Sequence, residues 1–239
     1  MKKLSLAFMA LAAIALVGCK DKKDELEMGG GEYIDCSLSA DVEAVDLGLP
    51  SGTKWANMNV GATQPEEYGA YFAWGETEQK EMYVWNTYEW CNGFENVLTK
   101  YCTNSTYGIV DNKTVLEPED DAAAVNWDSI WRMPTKAEIE ELGNKDNCTW
   151  NWKKNYNDTG VNGYLVTSKK NGNSIFLPAA GCRVVNSFKS VGSHGYYWSS
   201  SLNEKYSSEA YGFYFNSRTV DRDFSINRYF GLPVRPVCE

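Results

Sequence analysis

The chain has 239 residues, 43% of them hydrophobic, and its 23 basic and 32 acidic residues give a net charge of −9. This apolar content is enough for a buried core. The acidic balance argues against a nucleic-acid ligand, which requires basic patches, and against electrostatic docking on anionic lipid headgroups. Solubility at a crowded surface is a sufficient explanation for the acidity.

The first 19 residues have the pattern of an export signal. Lys2 and Lys3 precede an apolar run over residues 4–17, which is shorter than the roughly 20 residues that a spanning helix needs. The run ends in Leu16-Val17-Gly18-Cys19, which resembles the lipobox of bacterial lipoproteins. The resemblance implies that Cys19 is lipidated and becomes the first residue after cleavage, so that acyl chains anchor the protein in a membrane. An ordinary secretory signal with an incidental cysteine is the alternative.

The rest of the chain divides into a tether and one domain. Residues 20–32 are charged and then glycine-rich, which predicts a flexible tether. We therefore predict a signal peptide (1–18), a lipidated tether and leading segment (19–43) and a single domain (44–239). Loss of residues 1–18 removes two lysines and no acid, which leaves 21 bases against 32 acids and a net charge of −11.

Six cysteines remain beyond Cys19, and an even number outside the cytoplasm permits disulfides. Their spacing does not indicate zinc, because there is no Cys-x-x-Cys pair and His194 is the only histidine. Six cysteines allow 15 pairings. Cys91 with Cys102 is the preferred local pair, and free buried cysteines are the alternative for the others.

Helical signals are few. Acids and a proline at residues 117–121 precede a short apolar run at 122–125, which predicts one short helix. Thr135 and Glu138 form a capping box for a second helix, which Gly143 can end.

Short aromatic-rich runs between glycine, asparagine and serine predict strands. Residues 163–167 and 174–177 are predicted as two strands joined by a turn at 170–173, and residues 209–215 as a third strand. A final strand is predicted at 232–238, where two prolines confine it to an edge or an irregular end. Tyr211, Phe213 and Phe215 are expected on one face. Together these signals predict an α+β domain with two short helices, small antiparallel sheets and long loops.

Seven short motifs in this region resemble one family. They are residues 45–56 (VDLGLPSGTKWA), 59–62 (NVGA), 71–76 (YFAWGE), 131–135 (WRMPT), 176–181 (FLPAAG), 197–200 (YWSS) and 234–237 (VRPV). In this order they resemble the Fibrobacter succinogenes major paralogous domain, common in lipoproteins of gut Bacteroidetes. The resemblance spans about residue 44 to the end. It implies a C-type-lectin-like fold, related to the sulfatase-modifying-factor group, with its termini close together. Cys182 stands where the family usually has an aromatic residue.

The resemblance brings no catalytic residues, and the sequence offers none that stands out. It lacks a Gly-x-Ser-x-Gly elbow and a His-Glu-x-x-His motif, and a lone loop histidine such as His194 is usually structural or solvated. Acids around Pro118 only hint at calcium. We therefore expect no catalytic site, no metal and no cofactor. Arg132 and Arg235 are interpreted as structural arginines that tie loops together, and Trp55, Trp74, Trp131 and Trp198 as buried.

The stretch from Tyr196 to Asn227 is rich in tyrosine, serine, asparagine and arginine, the residues that adaptable binding surfaces use. C-type-lectin-like proteins diversified by retroelements carry their variable binding surface in this region, and the chain resembles them there. A polar loop without a ligand is the alternative. The candidate ligand-binding residues are Trp198, Ser201, Asn203, Tyr206, Asn216, Arg218, Asp221 and Asn227.

These features favour a ligand-binding or adhesive module, with a glycan or protein ligand and a membrane contact through the lipid anchor. A structural subunit of a surface coat or pilus and an enzyme with a redox cysteine are the alternatives. Asp21, Asp24 and Glu25 follow Cys19 as acids do in Bacteroidetes export signals, although the lysines among them dilute the pattern. We expect an envelope protein anchored in the outer membrane and exposed at the surface.

Overall fold

The computed structural model describes residues 33–239. The predicted signal peptide, the lipidation site Cys19 and the tether up to residue 32 lie outside the described residues. Within residues 33–239, no helix is both long enough and apolar enough to cross a membrane.

The described chain contains two short α-helices, α1 (Ala122–Asn126) and α2 (Lys136–Leu142), as the sequence predicts. Three single-turn 3-10 helices accompany them, at Trp85–Thr87, Pro118–Asp120 and Tyr156–Asp158. Asp121 caps α1, since one carboxylate oxygen accepts hydrogen bonds from the backbone N–H groups of Ala123 and Ala124. Its other oxygen accepts from the Met133 N–H at 2.7 Å, so Asp121 also holds the segment that leads into α2.

The capping box of α2 is confirmed. The Thr135 side chain accepts from the Glu138 N–H, and the Glu138 carboxylate accepts from the Thr135 N–H. The helix ends at Leu142 as predicted, but Gly143 has a φ of −77° and makes no left-handed turn. A Cβ atom at this position would lie 2.2 Å from Cδ of Arg222, so a larger residue would displace that side chain.

Most of the regular structure is strand. The strands are β1 (Ala44–Val45), β2 (Lys54–Ala56), β3 (Cys148–Lys153), β4 (Gly163–Ser168), β5 (Ser174–Pro178), β6 (Cys182–Val184), β7 (Ser187–Lys189), β8 (His194–Leu202), β9 (Glu209–Asn216), β10 (Val220–Asn227) and β11 (Val237–Cys238). They form small antiparallel sheets in the orders β1-β2-β11, β3-β4-β5, β6-β7 and β8-β9-β10. The α+β class with small antiparallel sheets is therefore confirmed.

The predicted strands at 163–167, 174–177 and 209–215 are confirmed as β4, β5 and β9, each one residue longer. The final strand is shorter than predicted, because only Val237–Cys238 forms a ladder. Proline has no backbone N–H to give to a ladder, so Pro233 and Pro236 leave the segment before β11 irregular.

Strand β2 joins the beginning and the end of the domain. Trp55 pairs with Val45 of β1 on one side and with Val237 of β11 on the other. The first and last strands of the described chain are thus neighbours of the same short strand.

The interior is filled by aromatic side chains, and the two most deeply buried tryptophans have their indole N–H groups paired, whereas those of Trp55 and Trp127 have no partner in residues 33–239. Trp74 and Trp198 are fully buried, and their indole N–H groups donate to the carbonyl oxygens of Ser199 and Phe72, each at 2.8 Å. Trp55 and Trp131 are buried as predicted. Phe213 and Phe215 lie in the core, whereas Tyr211, expected on the same face, is partly exposed beneath the ammonium group of Lys136.

All six cysteines in the described chain are free and buried. The expected disulfide between Cys91 and Cys102 is not formed. The Cys91 thiol donates to the Trp85 carbonyl at 3.1 Å, and the Cys102 thiol donates to the Asn104 carbonyl at 3.1 Å. Each of these two thiols is thus used within its own loop, and the alternative of free buried cysteines holds for the other four.

Arg235 ties three parts of the chain together from inside the core, where it is 1% exposed. Its guanidinium donates to Oδ1 of Asn59 at 2.8 Å, to the Ala56 and Asn57 carbonyls at 3.1 and 3.2 Å, and to the Phe176 carbonyl at 2.9 Å. Burial lowers its pKa to about 10, so the side chain remains charged at neutral pH. The interpretation of Arg235 as structural is confirmed, and Arg132 likewise forms a two-pronged pair with Glu138.

Replacing Arg235 should therefore destabilise the fold strongly. In Arg235→Met the buried oxygen atoms lose their donors, at about 1–3 kcal/mol for each unsatisfied group, so we expect the free energy of unfolding to fall by about 4 kcal/mol. Urea unfolding measures this. The matched control is Arg218→Met, which removes an exposed arginine in the turn after β9 and should change stability by less than about 0.5 kcal/mol. Equal losses in the two variants would contradict the role of Arg235.

Candidate ligand-binding site

The predicted binding residues lie on the sheet β8-β9-β10, at two opposite ends. Asn203 and Tyr206 belong to the turn between β8 and β9, whereas Asn216 and Arg218 belong to the turn between β9 and β10. Strand β9 runs for 8 residues between these turns, which corresponds to about 25 Å. The structure therefore does not bring the predicted residues together into one surface.

Several of them have structural roles at the β8–β9 end. Trp198 is 1% exposed and lies in the core, contrary to the expectation of a ligand contact. Asn203 is buried and holds the turn: its amide donates to the Ser225 hydroxyl at 3.0 Å, and its carbonyl accepts from the Lys205 and Tyr206 N–H groups. Ser201 Oγ accepts from the Lys136 N–H. Of the predicted binding residues at this end, only Tyr206 is exposed.

At the other end, Asn216 shapes the hairpin turn. Its Oδ1 atom accepts from the N–H groups of Arg218 and Thr219, and its amide donates to the Tyr214 hydroxyl at 2.8 Å. Asp221 is exposed, and its carboxylate accepts from the Asp223 N–H at 3.0 Å. Arg218 is exposed. Asn227 is partly exposed near the opposite end of β10, where its backbone carbonyl accepts from the Phe230 N–H.

Two further sequence candidates have ordinary partners. His194 contacts the Ser193 hydroxyl at 2.8 Å and stacks on Tyr196. Among the acids around Pro118, Glu117 is paired with Lys100 and Lys113. In residues 33–239, no three His, Cys, Asp or Glu side chains are grouped so as to hold a metal ion.

The structure reveals an apolar groove that the sequence analysis missed. It has a volume of about 740 Å³ and lies between the loop that follows β2 and the β6–β7 hairpin. Its apolar lining comes from Ile34, Tyr68, Tyr71, Phe188 and Val191. Volumes of about 300–1,000 Å³ with mostly apolar linings are typical of ligand sites, so this apolar groove is a candidate ligand site.

Phe188 of β7 is the most exposed aromatic side chain of the apolar groove, at 55%. Its ring packs edge-on against Tyr71 at 5.2 Å, and the Tyr71 hydroxyl donates to the Ala180 carbonyl at 2.6 Å. Tyr71 and the Arg183 guanidinium, which lies 5.0 Å from the centroid of the Phe188 ring, support Phe188, and about half of this side chain stays exposed. An aromatic ring held open in this way can bury a large area against a ligand.

The polar groups of the apolar groove are neutral or already paired. The Glu67 carboxylate accepts from the N–H and hydroxyl of Thr63 at 2.7 and 3.1 Å. Burial raises the pKa of both Tyr68 and Tyr71, so their hydroxyls stay protonated. The loop can approach this closely because residue 69 is glycine: a Cβ there would lie 2.4 Å from the Val60 carbonyl oxygen.

The backbone of Phe188 offers a strand edge beside the apolar groove. Phe188 faces Arg183 in the β6–β7 ladder, but the N–H and C=O of Arg183 bond to Gly231 at 2.7 and 2.9 Å. Arg183 and Phe188 are therefore a non-hydrogen-bonded pair, in which the backbone groups point outward. In residues 33–239, the N–H and C=O of Phe188 have no backbone partner, so an extended segment can pair with them.

The hairpin that carries Phe188 is bounded by strained residues. Val185, in the turn between β6 and β7, has a φ of +55°, and Ser190, just after β7, has a φ of +59°. A β-branched residue is unfavourable in this conformation. Hydrogen bonds to Tyr83 in both directions, at 2.8 and 3.0 Å, hold Val185 there. Strained backbone of this kind is concentrated at functional sites.

The family comparison matches one part of the chain. Residues 150–237 match a family described as a domain of unknown function (DUF8237). Searches of curated proteins and of solved structures gave no match. The matched segment contains the β6–β7 hairpin and therefore Phe188 and the strained turn, whereas both α-helices lie outside it.

Val185→Gly should remove the strain. Strain in the left-handed region costs about 1–3 kcal/mol, and the entropy of glycine offsets part of the gain, so we expect the free energy of unfolding to rise by about 1 kcal/mol. Chemical denaturation measures it. Val184→Gly is the matched control, because Val184 is a strand residue outside the left-handed region; it should lower stability by about 1 kcal/mol. Destabilisation by both variants would show that Val185 is not strained.

Proposed function

We propose that this chain is a lipid-anchored lipoprotein of the bacterial cell envelope, held at the outer membrane through Cys19. On this proposal its domain faces outward and acts as an adhesive module that binds a partner protein. The lipobox-like sequence at residues 16–19 supports the anchor, and the apolar groove at Phe188 supports the binding function. On this proposal the protein contacts the membrane only through its lipid anchor, and nucleic acid is not among its ligands.

The domain is proposed to have the C-type-lectin-like fold of the Fibrobacter succinogenes major paralogous family. Support comes from the two short helices, the small antiparallel sheets and the placement of β1 and β11 on either side of β2. Further support comes from the roles of the motif residues: Trp55, Trp74 and Trp198 are buried, and Arg235 bonds to the 56–59 segment. This fold places its functional surfaces on loops and hairpins that a rigid interior supports.

The occupant of the apolar groove is proposed to be an extended, apolar segment of a partner protein. Two observations favour a peptide over a glycan at this place. The Glu67 carboxylate and the Tyr71 hydroxyl are engaged inside the domain, which leaves few polar groups for sugar hydroxyls. The outward N–H and C=O of Phe188 can pair with a strand, while alternate side chains of that strand enter the apolar groove.

No catalytic role is part of this proposal. The redox-cysteine alternative requires a reactive thiolate. Burial instead raises the pKa of Cys36, Cys148 and Cys182 to about 11, and it also raises the pKa of Cys91 and Cys238. These thiols are protonated at neutral pH and are poor nucleophiles.

The anchor is tested by phase partitioning. The wild-type chain, expressed in a bacterium that processes lipoproteins, should enter the detergent phase of Triton X-114 and incorporate labelled palmitate, because two or more acyl chains give stable membrane binding. Cys19→Ser should move to the aqueous phase without label. Cys36→Ser, which alters a cysteine inside the domain, should behave as wild type. A Cys19→Ser protein that keeps the label would contradict lipidation at Cys19.

The binding site is tested with a defined probe, a random heptapeptide phage library panned against the full chain. Enriched peptides should carry apolar or aromatic residues at alternate positions. Phe188→Asp should weaken their binding at least tenfold, because burying a phenylalanine contributes about 1.5–3 kcal/mol. Phe94→Asp is the matched control, since Phe94 is 70% exposed but lies outside the apolar groove.

Two outcomes would contradict this site. If no peptide is enriched, or if Phe94→Asp weakens binding as much as Phe188→Asp, the apolar groove is not a peptide site. If instead the wild-type chain is a stable oligomer that Phe188→Asp dissociates, the apolar groove holds a second copy. The chain is then better described as an assembly subunit of a surface coat or pilus.

A further inference from the structure

A second groove, of about 580 Å³, runs along strand β3 and carries an unusual charge for this protein. Three cations, Lys145, Lys169 and Arg222, line it, and no carboxylate does. The chain as a whole has 32 acidic and 23 basic residues. This cationic groove shares no lining residue with the apolar groove, and the inference below does not depend on the proposed peptide site.

The three cations lack ionic partners in residues 33–239. The salt bridges there use Lys80, Lys100, Lys113, Arg132 and Lys136. Arg222 makes one weak hydrogen bond, from Nη1 to the Glu140 carbonyl at 3.4 Å. Since a guanidinium has five N–H donors, most of its hydrogen-bonding capacity is available to a ligand.

The position of Arg222 is set by α2 and β10. The pairing of β10 with β9 is interrupted by a bulge between Asp221 and Phe224, and bulges redirect side chains. Arg222 then crosses Gly143 at the end of α2, where no Cβ obstructs it. The partial negative charge at a helix C-terminus favours a cation there. Glu140, Asp221 and Asp223 line an adjoining groove with Arg222 but form no salt bridge with it in residues 33–239.

Trp150 supplies an aromatic surface in the same groove. Its indole N–H donates to the Leu142 carbonyl at 3.3 Å, and its ring packs on Tyr164 and Phe213 with centroid distances of 5.4 and 5.1 Å. These contacts fix the ring, and its remaining surface lines the groove.

We infer that the cationic groove binds an acidic saccharide, with a carboxylate or sulfate group on Lys145, Lys169 and Arg222 and a sugar ring against Trp150. Cations recognise the acidic group by charge-assisted hydrogen bonds. The volume lies within the range of small-ligand sites, about 300–1,000 Å³.

The charge of the rest of the protein argues against other anionic ligands. A net charge of −9 repels extended polyanions such as nucleic acid and the surfaces of anionic membranes. A short acidic saccharide can enter the cationic groove without covering the acidic surface around it. Both uronates and sulfated sugars have this chemistry.

The test uses the full chain with Cys19→Ser, so that a lipid anchor does not interfere, in isothermal titration calorimetry at low salt. The probes are trigalacturonic acid and a heparin-derived tetrasaccharide, with neutral maltotriose and inorganic sulfate for comparison. At least one acidic saccharide should bind and maltotriose should not. Loss of two charge contacts in Lys145→Ala/Lys169→Ala should weaken binding about tenfold or more.

The matched control is Lys189→Ala/Lys205→Ala, which removes the same charge from exposed lysines outside the cationic groove and should change affinity less than about twofold. Trp150→Leu, if folded by circular dichroism, should weaken saccharide binding and leave sulfate binding unchanged. The inference is overturned if neither acidic saccharide binds or if the control loses as much affinity. It is also overturned if sulfate alone binds as tightly as the saccharides, or if vesicles of phosphatidylcholine and phosphatidylserine bind in a way that Lys145→Ala/Lys169→Ala abolishes.

Discussion

The fold depends on a buried cation that has no carboxylate partner. The guanidinium of Arg235 is satisfied by Asn59 and by carbonyl oxygens on both sides of it, from the segment after β2 and from Phe176 of β5. A charge can be buried only if its donors are paired. The C-terminal segment, the start of the domain and β5 must therefore meet around this side chain, which compensates for the small amount of regular secondary structure in these segments.

A second buried arginine does the same for the long loops. Arg228 donates to the Tyr88 hydroxyl and to the carbonyls of Lys100, Tyr101 and Ser207. Between the two arginines, Gly231 pairs with Arg183 of β6. This pairing leaves the backbone of the neighbouring strand β7 facing outward. The interior arginines thus hold the framework on which the β6–β7 hairpin displays its aromatic side chain.

The two grooves differ in chemistry because different elements build them. The apolar groove is made by a loop and a hairpin whose polar groups are satisfied internally, so it favours an apolar segment. The cationic groove is made where β10 bulges across the end of α2, so the Arg222 side chain reaches it without a carboxylate partner. On the proposed functions of the two grooves, the protein would combine contacts to a partner protein with contacts to acidic sugars, and two linked contacts bind more tightly than either alone.

The features that depend on local chemistry could be predicted from the amino-acid sequence. The capping box of Thr135 and Glu138, strands β4, β5 and β9, the buried tryptophans and the structural role of Arg235 follow from short-range patterns, and the structure confirms them. The state of the cysteines could not be predicted in this way. The expected disulfide between Cys91 and Cys102 is not formed, because each thiol points to a carbonyl in its own loop. The positions of the candidate binding surfaces depend on the tertiary structure. It separated Tyr206 from Arg218 by the length of β9, and it brought Ile34, Tyr68 and Phe188 into one groove. These residues are far apart along the chain, and only long-range packing, which no local pattern encodes, makes them neighbours.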